Sequence, residues 1–180
     1  YSSASTYINK FSKLLRTILR NSKQHYISLK DELESLTHYI ELEKMRFTNK
    51  FDYTIEIDPS ISTERFLIPP LILQPFVENA IWHGLTPKKD SGLVKITFTP
   101  GDRAIICSIE DNGVGRQFHA GKQEKRTSFG ISITQERLEV LNEIYGMNAK
   151  VEIKDLFENS QPSGTRVTLT LPHKEAKSEI

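Results

Sequence analysis

Three short clusters in this sequence combine polar groups with spacings that chemistry can use. The first is Glu78-Asn79-Ala80-Ile81-Trp82-His83-Gly84, at the end of a strongly apolar run. Positions four apart share a helix face, so Asn79 and His83 fall together and Glu78 and Trp82 lie on the neighbouring face. A neutral amide oxygen such as that of Asn79 suits a hard, partly hydrated cation such as Mg2+. The same residues would equally serve only to close the helix end. The second cluster is Asp111-Asn112-Gly113-Val114-Gly115, directly after an apolar run that reads as a buried strand. A carboxylate there accepts a hydrogen bond from an exocyclic amine, and glycines beside it let a flat ring or a phosphate approach the backbone. A plain strand-ending turn has the same appearance. The third, Gly164-Thr165-Arg166-Val167-Thr168, reads by itself as a turn opening a strand.

These clusters need elements to carry them. The first 48 residues hold no Gly or Pro, and Tyr7/Ile8, Phe11, Leu14/Leu15 and Ile18 recur at helical spacing. Ser28 with Asp31 three residues on resembles a capping box. Behind it Leu29, Leu33, Leu36, Ile40 and Phe47 form a heptad-like seam, with Glu43 at the missing step. The pattern predicts helices over 5–20 and 29–47. Strands follow at 51–57, 93–99, 104–110, 150–156 and 165–171, the second and third joined through Pro100-Gly101-Asp102 as a hairpin. Pro69-Pro70 opens an apolar helix over 70–83, ending at Gly84, and a second helix over 130–145 is closed by Gly146. A loop rich in Gly, Lys, Gln and Arg fills 112–129. This order predicts an α+β fold, a mostly antiparallel sheet covered on one face by helices, with two helices before it. The expected organisation is a helical region 1–48, a domain 49–172 and a loose polar tail 173–180.

Composition narrows the partners. The 180 residues are 37% hydrophobic and 26% charged, as in a globular chain. A formal net charge of +1 gives no reason to expect nucleic acid or direct contact with an anionic membrane. The single cysteine, Cys107, lies in the apolar run Ile105-Ile106-Cys107 and reads as a small buried hydrophobe. No apolar stretch reaches the roughly 20 residues of a membrane span. The chain opens at Tyr1, already in a helical pattern, and is read as part of a longer protein.

Taken together and in this order, the three clusters resemble the ATP-binding (Bergerat-type) fold shared by histidine kinases, DNA gyrase, heat-shock chaperones and mismatch-repair ATPases. Glu78–Gly84 looks like its N box, Asp111–Gly115 its G1 box, Ser128-Phe129-Gly130 its G2 box, and Gly164-Thr165 its last glycine motif. Within this superfamily, the run Pro69-Pro70-Leu71-Ile72-Leu73-Gln74-Pro75-Phe76-Val77-Glu78-Asn79 and its continuation to Gly84 are similar to LytS/YehU-type sensor histidine kinases. So are Leu29–Phe47, with Glu41, Glu43, Arg46 and Phe47, and Gln135-Glu136-Arg137-Leu138 after the G2 box.

The resemblance implies ATP and Mg2+ as ligands. Asn79 would hold Mg2+ between the phosphates, and His83 would face the phosphates or ribose. Asp111 would bind the adenine amino group, supported by Gly164 and Thr165. Gly113 and Gly115 would form the floor and hinge of a lid running from Arg116 to Phe129. Gly130 would lie near the phosphates. Arg116, Lys122, Lys125 and Arg126 are candidate phosphate contacts, beside the simpler reading of a solvated loop. Two departures stand out. Ser128 replaces a frequent glycine, which alters the expected lid. Pro75 stands four residues before Asn79, where gyrase- and chaperone-type ATPases place a hydrolytic glutamate. That favours transfer to a protein acceptor over water. The family's acceptor histidine is followed shortly by Phe and Asn on an earlier helix. None of His25, His38, His119 or His173 has that context, so the acceptor is expected outside this sequence. The implied parent is a homodimeric inner-membrane sensor whose cytoplasmic portion passes phosphate to a response regulator. A hydrolytic ATPase and a degenerate dimerisation module are the alternatives.

Overall fold

The computed structural model describes residues 2–48, 50–116 and 148–172, with residues 136, 138–140, 142–144 and 146 between them. Lys122, Lys125, Arg126, Ser128–Gly130, His119 and the tail 173–180 lie outside the described residues. The chain divides into two compact units.

The first unit contains the N-terminal helices together with Ser62–Gln74. Helix α1 spans Ser2–Asn21 and α2 spans Leu29–Arg46. Ser28 caps α2: its Oγ accepts from the Asp31 N–H and donates to the Asp31 carboxylate, so the predicted Ser28/Asp31 cap is present. The two helices meet through Leu14, Thr17 and Asn21 of α1, all buried, with Asn21 Nδ2 donating to Ser35 Oγ at 3.0 Å and Lys10 pairing with Glu41 at 3.2 Å. The buried face of α2 is broader than the predicted seam and includes Glu32, Ser35, Tyr39, Leu42 and Glu43.

The sequence pattern does not anticipate Ser62–Gln74 joining these helices. Its reason is local hydrogen bonding. A two-residue strand β1 (Ile27–Ser28) pairs antiparallel with β3 (Leu67–Ile68), while β2 (Phe51–Ile57) belongs to the other unit. The first N–H groups of α2, which have no partner inside the helix, find carbonyls in this segment: Leu29 donates to Phe66 and Lys30 to Thr63.

The second unit is Lys50–Ile61 with Pro75–Pro172. Its sheet comprises β2, β4 (Gly92–Gly101), β5 (Ala104–Asp111), β6 (Lys150–Glu158) and β7 (Gln161–Pro172), in the order β2-β4-β5-β7-β6. Only β2 and β4 run parallel; the other neighbours are antiparallel, and the 100–102 hairpin is as expected. Alternate residues Val94, Ile96 and Phe98, Ile105, Cys107 and Ile109, and Leu169 and Leu171 are buried, which gives the sheet one apolar face. Phe76, Val77, Ala80, Ile81 and Leu85 are buried with them.

The helix expected over 70–83 begins later. Helix α3 spans Gln74–Asn79 and continues as a π-helical turn, Ala80–Leu85, in which Thr86 N–H reaches back five residues to the Ile81 carbonyl. Leu71 has φ +60 and lies outside any helix. Pro75 explains the start: a proline lacks an N–H and clashes with the turn before it, so it is accommodated in a first turn. The described part of the second expected helix includes 138–140 and 142–144, with Leu138 buried and Asn142 bonded to both backbone groups of Ala149.

The β6–β7 turn is tighter than the expected 159–164 loop. Asn159 (φ 49) and Ser160 (φ 63) are both left-handed, as a two-residue type I′ hairpin requires. Serine pays about 1 kcal/mol for that conformation and glycine does not. Ser160→Gly is therefore expected to stabilise the chain by about 0.5–1 kcal/mol in urea unfolding; a destabilised variant would contradict the turn geometry.

Candidate functional site

The site is built around a buried carboxylate. Asp111 is the last residue of β5 and is only 4% exposed. Its neighbours across the sheet are Val94 of β4 and Thr165 of β7. Inward alternation along β5 (Ile105, Cys107, Ile109) puts Asp111 on the apolar face, where a charge is costly. Its Oδ1 accepts the Gly113 N–H at 2.9 Å, and the backbone N–H of Thr165 is a second donor. Burial raises its pKa to about 6, against the lowering effect of those two donors; Glu110 adds a smaller upward push and Lys88 a downward one.

Three glycines from three elements close on Asp111, two of them on its carboxylate and one on its backbone carbonyl. A Cβ on Gly84, in the π-helical turn, would stand 2.5 Å from Asp111 Oδ1. A Cβ on Gly113 would overlap the Gly84 carbonyl, and one on Gly164 (φ +136) would overlap the Asp111 carbonyl. Only glycine leaves room for this close approach, and at Gly164 also for the backbone angle. The Gly84 carbonyl accepts from Val114 N–H at 3.0 Å, which ties the end of the helix to the loop after β5. Asn112 pins that loop from the other side: its Oδ1 accepts the Leu93 N–H, and its carbonyl accepts from Lys88 Nζ.

The structure thus brings Asp111, Gly113, Gly164 and Thr165 together, and through Gly84 it adds the end of the helix that carries Asn79 and His83. Asn79 is the last residue of α3 and half-buried; His83 lies in the π-helical turn and is exposed. Glu78 is exposed. Gly115 is left-handed (φ +71), with its Cα face against Pro162. Arg116 is engaged within the protein: its guanidinium makes two bonds to Asp155, at 2.6 and 2.8 Å, and this partner holds it firmly charged. Gly130, Lys122, Lys125 and Arg126 fall outside the described residues. The sequence places Gly84 and Asn112 within the N and G1 motifs without giving either a contact, and it gives no role to Lys88 or Asp155. A signal existed for Gly84 in its place directly after the Asn79–His83 face. Nothing local marks Asp155, which becomes Arg116's partner only because β6 lies beside β7.

Among the described residues no three His, Cys, Asp or Glu side chains converge as a metal site, and no helix is long and apolar enough to cross a membrane.

Comparison with known proteins identifies family and fold. Residues 69–175 match the sequence profile of the histidine kinase-, DNA gyrase B-, and HSP90-like ATPases, and residues 1–51 match a histidine kinase profile. Sensor histidine kinase YesM of Bacillus subtilis is 28% identical over 92% of this chain. Sensor protein LytS of Staphylococcus saprophyticus is 27% identical over 94%, and sensor histidine kinase BtsS of Escherichia coli 30% identical over 96%. The chain spans 28% of the length of each of these three. Among solved structures, the mycobacterial sensor histidine kinase MprB aligns with TM-score 0.56 at 14% identity, covering 84% of this chain and 98% of that one. Histidine kinase ThkA, solved in complex with the response regulator protein TrrA, aligns with TM-score 0.56 at 18% identity over 94% of this chain and 49% of that one. At such identities these structures speak for the fold.

Two predictions follow from the cradle. Gly164→Ala is expected to cost at least about 3 kcal/mol, because strain and overlap coincide. Gly146→Ala, at φ +59 with open space around it, should cost only about 1 kcal/mol. Equal costs in urea unfolding would contradict the close packing. The second concerns pH. Below about pH 3.8 Asp111 is protonated in both the folded and the unfolded chain. Between 3.8 and about 6 the unfolded chain ionises while the folded one keeps its proton, so rising pH costs stability. Relative to Asp111→Asn, the wild type should lose about 2 kcal/mol between pH 4 and 7. A pH-independent difference would show that Asp111 titrates normally.

Proposed function

The chain belongs to the family of histidine kinase-, DNA gyrase B-, and HSP90-like ATPases, and on that footing we propose that it is the ATP-binding catalytic part of a two-component sensor histidine kinase. The observation that carries this reading is the buried Asp111, with Gly84 and Gly113 packed against its carboxylate and Gly164 against its backbone carbonyl. In this reading Asp111 accepts a hydrogen bond from the adenine amino group, and Thr165, its neighbour across the sheet, supports the base. Gly113, Gly115 and Gly164 let base and backbone approach closely.

The donor set fits a cation that arrives with a nucleotide. Asn79 offers one neutral amide oxygen, and among the described residues no acidic cluster stands by to bind a bare divalent ion. Mg2+ would take most of its oxygens from phosphates and water, with Asn79 orienting it. His83, four residues on and exposed, faces the phosphate or ribose side. Gly130 and the cations Arg116, Lys122, Lys125 and Arg126 are the further phosphate candidates, although Arg116 would first have to leave Asp155. Bound ATP supplies the γ-phosphoryl group. The protein's contribution is positioning and charge, which is what phosphoryl transfer needs. Pro75, at the start of α3 and four residues before Asn79, leaves no carboxylate there to activate water, which favours transfer to histidine over hydrolysis.

The acceptor is assigned to a histidine outside this sequence, and a response regulator is the next recipient. His38, on α2, has Nε2 3.6 Å from Glu34 and a side chain only 21% exposed, a poor position for attack on a phosphate. The exposed apolar face of α1, Ile8, Phe11, Leu15 and Leu19, is assigned to helix pairing in a homodimer. The parent protein is read as a membrane sensor with this part in the cytoplasm.

Calorimetry with Mg-ATP tests the reading. The wild-type chain should bind, and Asp111→Asn should weaken binding at least about tenfold, the worth of a charged hydrogen bond. A folded wild-type chain that binds no Mg-ATP would overturn the proposal. Steady phosphate release that vanishes in Asn79→Ala would replace the kinase reading with a hydrolytic ATPase. Light scattering over a concentration series should show self-association that Phe11→Glu weakens.

A further inference from the structure

Asp155 is a carboxylate at an inward position of an edge strand. Along β6, Val151 and Ile153 are half-buried while Lys150, Glu152 and Lys154 are exposed, so alternation places Asp155 with the inward set. It lies opposite Thr165, and Thr165 lies opposite Asp111. Residues directly opposite share a face of the sheet. Asp111, Thr165 and Asp155 therefore form one row across β5, β7 and β6, with neighbouring strands about 4.8 Å apart. The two carboxylates of this row are satisfied differently. Asp111 is met by backbone N–H groups. Asp155 receives the Arg116 guanidinium, with Nε donating to Oδ1 at 2.6 Å and a terminal nitrogen to Oδ2 at 2.8 Å. Two parallel bonds of this kind fix direction as well as charge.

Arg116 reaches Asp155 because the chain after β5 crosses the end of β7. A Cβ on Gly164 would stand 3.1 Å from the Asn112 Cα, and one on Gly115 would stand 2.9 Å from the Pro162 Cβ and 3.7 Å from the Gly164 carbonyl oxygen. Residues 112–116 thus run over β7, from Asp111 to the edge strand. Toward the helix this crossing is tied by Gly113 N–H on Asp111 and Val114 N–H on Gly84. Toward β6 it is tied by Arg116. We infer that Arg116 and Asp155 are positioning residues: their pair anchors the far end of the crossing, and so holds Gly113 on Asp111 and the backbone beside Thr165 where a base would lie. This assigns Arg116 to the base end of the site rather than to the phosphates. Moving it to a phosphate would leave the Asp155 carboxylate unpaired at an inward position, which counts against the exchange. The ligand half of the inference rests on the nucleotide reading given above; the loop-holding half stands without it.

The test uses Asp155→Asn and the double variant Arg116→Met/Asp155→Asn, which keeps the net charge of the wild type, with two readouts. The first is amide hydrogen exchange without ligand. Exchange at Gly113 and Val114 should speed up by about fivefold in both variants, with β4 unchanged. Unchanged exchange at these two amides overturns the loop-holding role. The second is affinity, for adenosine by NMR titration and for Mg-ATP by calorimetry. Both variants should bind the two ligands about fivefold more weakly, and by the same factor, because the base is common to them. A phosphate contact has the opposite signature: Asp155→Asn would release Arg116 and tighten ATP, and the double variant would weaken ATP and spare adenosine. Tighter ATP binding, unequal losses or unchanged affinities overturn the positioning role. If the double variant does not fold, Arg116→Lys, which keeps the charge but cannot make both bonds, is judged by the same criteria with smaller shifts. A wild-type chain that binds neither ligand sinks the nucleotide reading, and the exchange measurement then decides the loop-holding role by itself.

Discussion

Burying one carboxylate governs the arrangement of the second unit. Asp111 ends a strand whose inward positions are otherwise Ile105, Cys107 and Ile109, so its charge is placed where the sheet is apolar. An ionised group there needs donors at once, and the nearest are backbone N–H groups. The chain turns at Asn112 to supply that of Gly113, and β7 lies alongside to supply that of Thr165. Both arrangements demand backbone closer than a side chain permits, hence Gly113 and Gly164. Gly84 answers the same demand from the helix. The donors lower the pKa and burial raises it, and burial wins, leaving Asp111 at about 6. The group is thus held in a state that one further donor, such as an amine from a ligand, would improve.

In the first unit the governing requirement is a helix end. The first turn of α2 has N–H groups with no partner within the helix. Ser28 satisfies that of Asp31, and the carbonyls of Phe66 and Thr63 take two more. The segment drawn in this way brings its own unsatisfied N–H groups at Leu71 and Leu73, and Glu32 receives them. Each unit therefore uses a buried carboxylate to hold irregular backbone. In the second the backbone lines the candidate ligand site; in the first it leads into the helix that carries Asn79.

The parts of this fold legible in the sequence are those with a period. Strand alternation from Phe51 to Ile57 and the two apolar runs around Pro100-Gly101 appear in the structure within a residue or two at most ends. The helices around Leu14 and Leu36 do as well. The resemblance of Asp111–Gly115 and Glu78–Gly84 to nucleotide-binding motifs led to the family that the sequence profiles identify. What escaped has no period. The π-helical turn arises where Gly84 meets Asp111, some 27 positions away along the chain by their residue numbers. The late start of α3 depends on Pro75, and the pairing of Ile27–Ser28 with Leu67–Ile68 depends on tertiary packing. By spacing alone Glu32 is one more charged residue on a helix; its burial depends on Leu71 and Leu73 being in place.

The account predicts a site that recognises a base by its amine at one end and a cation with phosphates at the other. The central claim is that Asp111 reads the exocyclic amine, and comparing two nucleotides tests it most directly. Mg-ATP and the triphosphate of purine riboside, which lacks only that amine, would be titrated into the wild type and into Asp111→Asn. The predicted result is a preference for ATP of at least about tenfold in the wild type, abolished in Asp111→Asn. Equal affinity of the wild type for the two nucleotides would contradict the account.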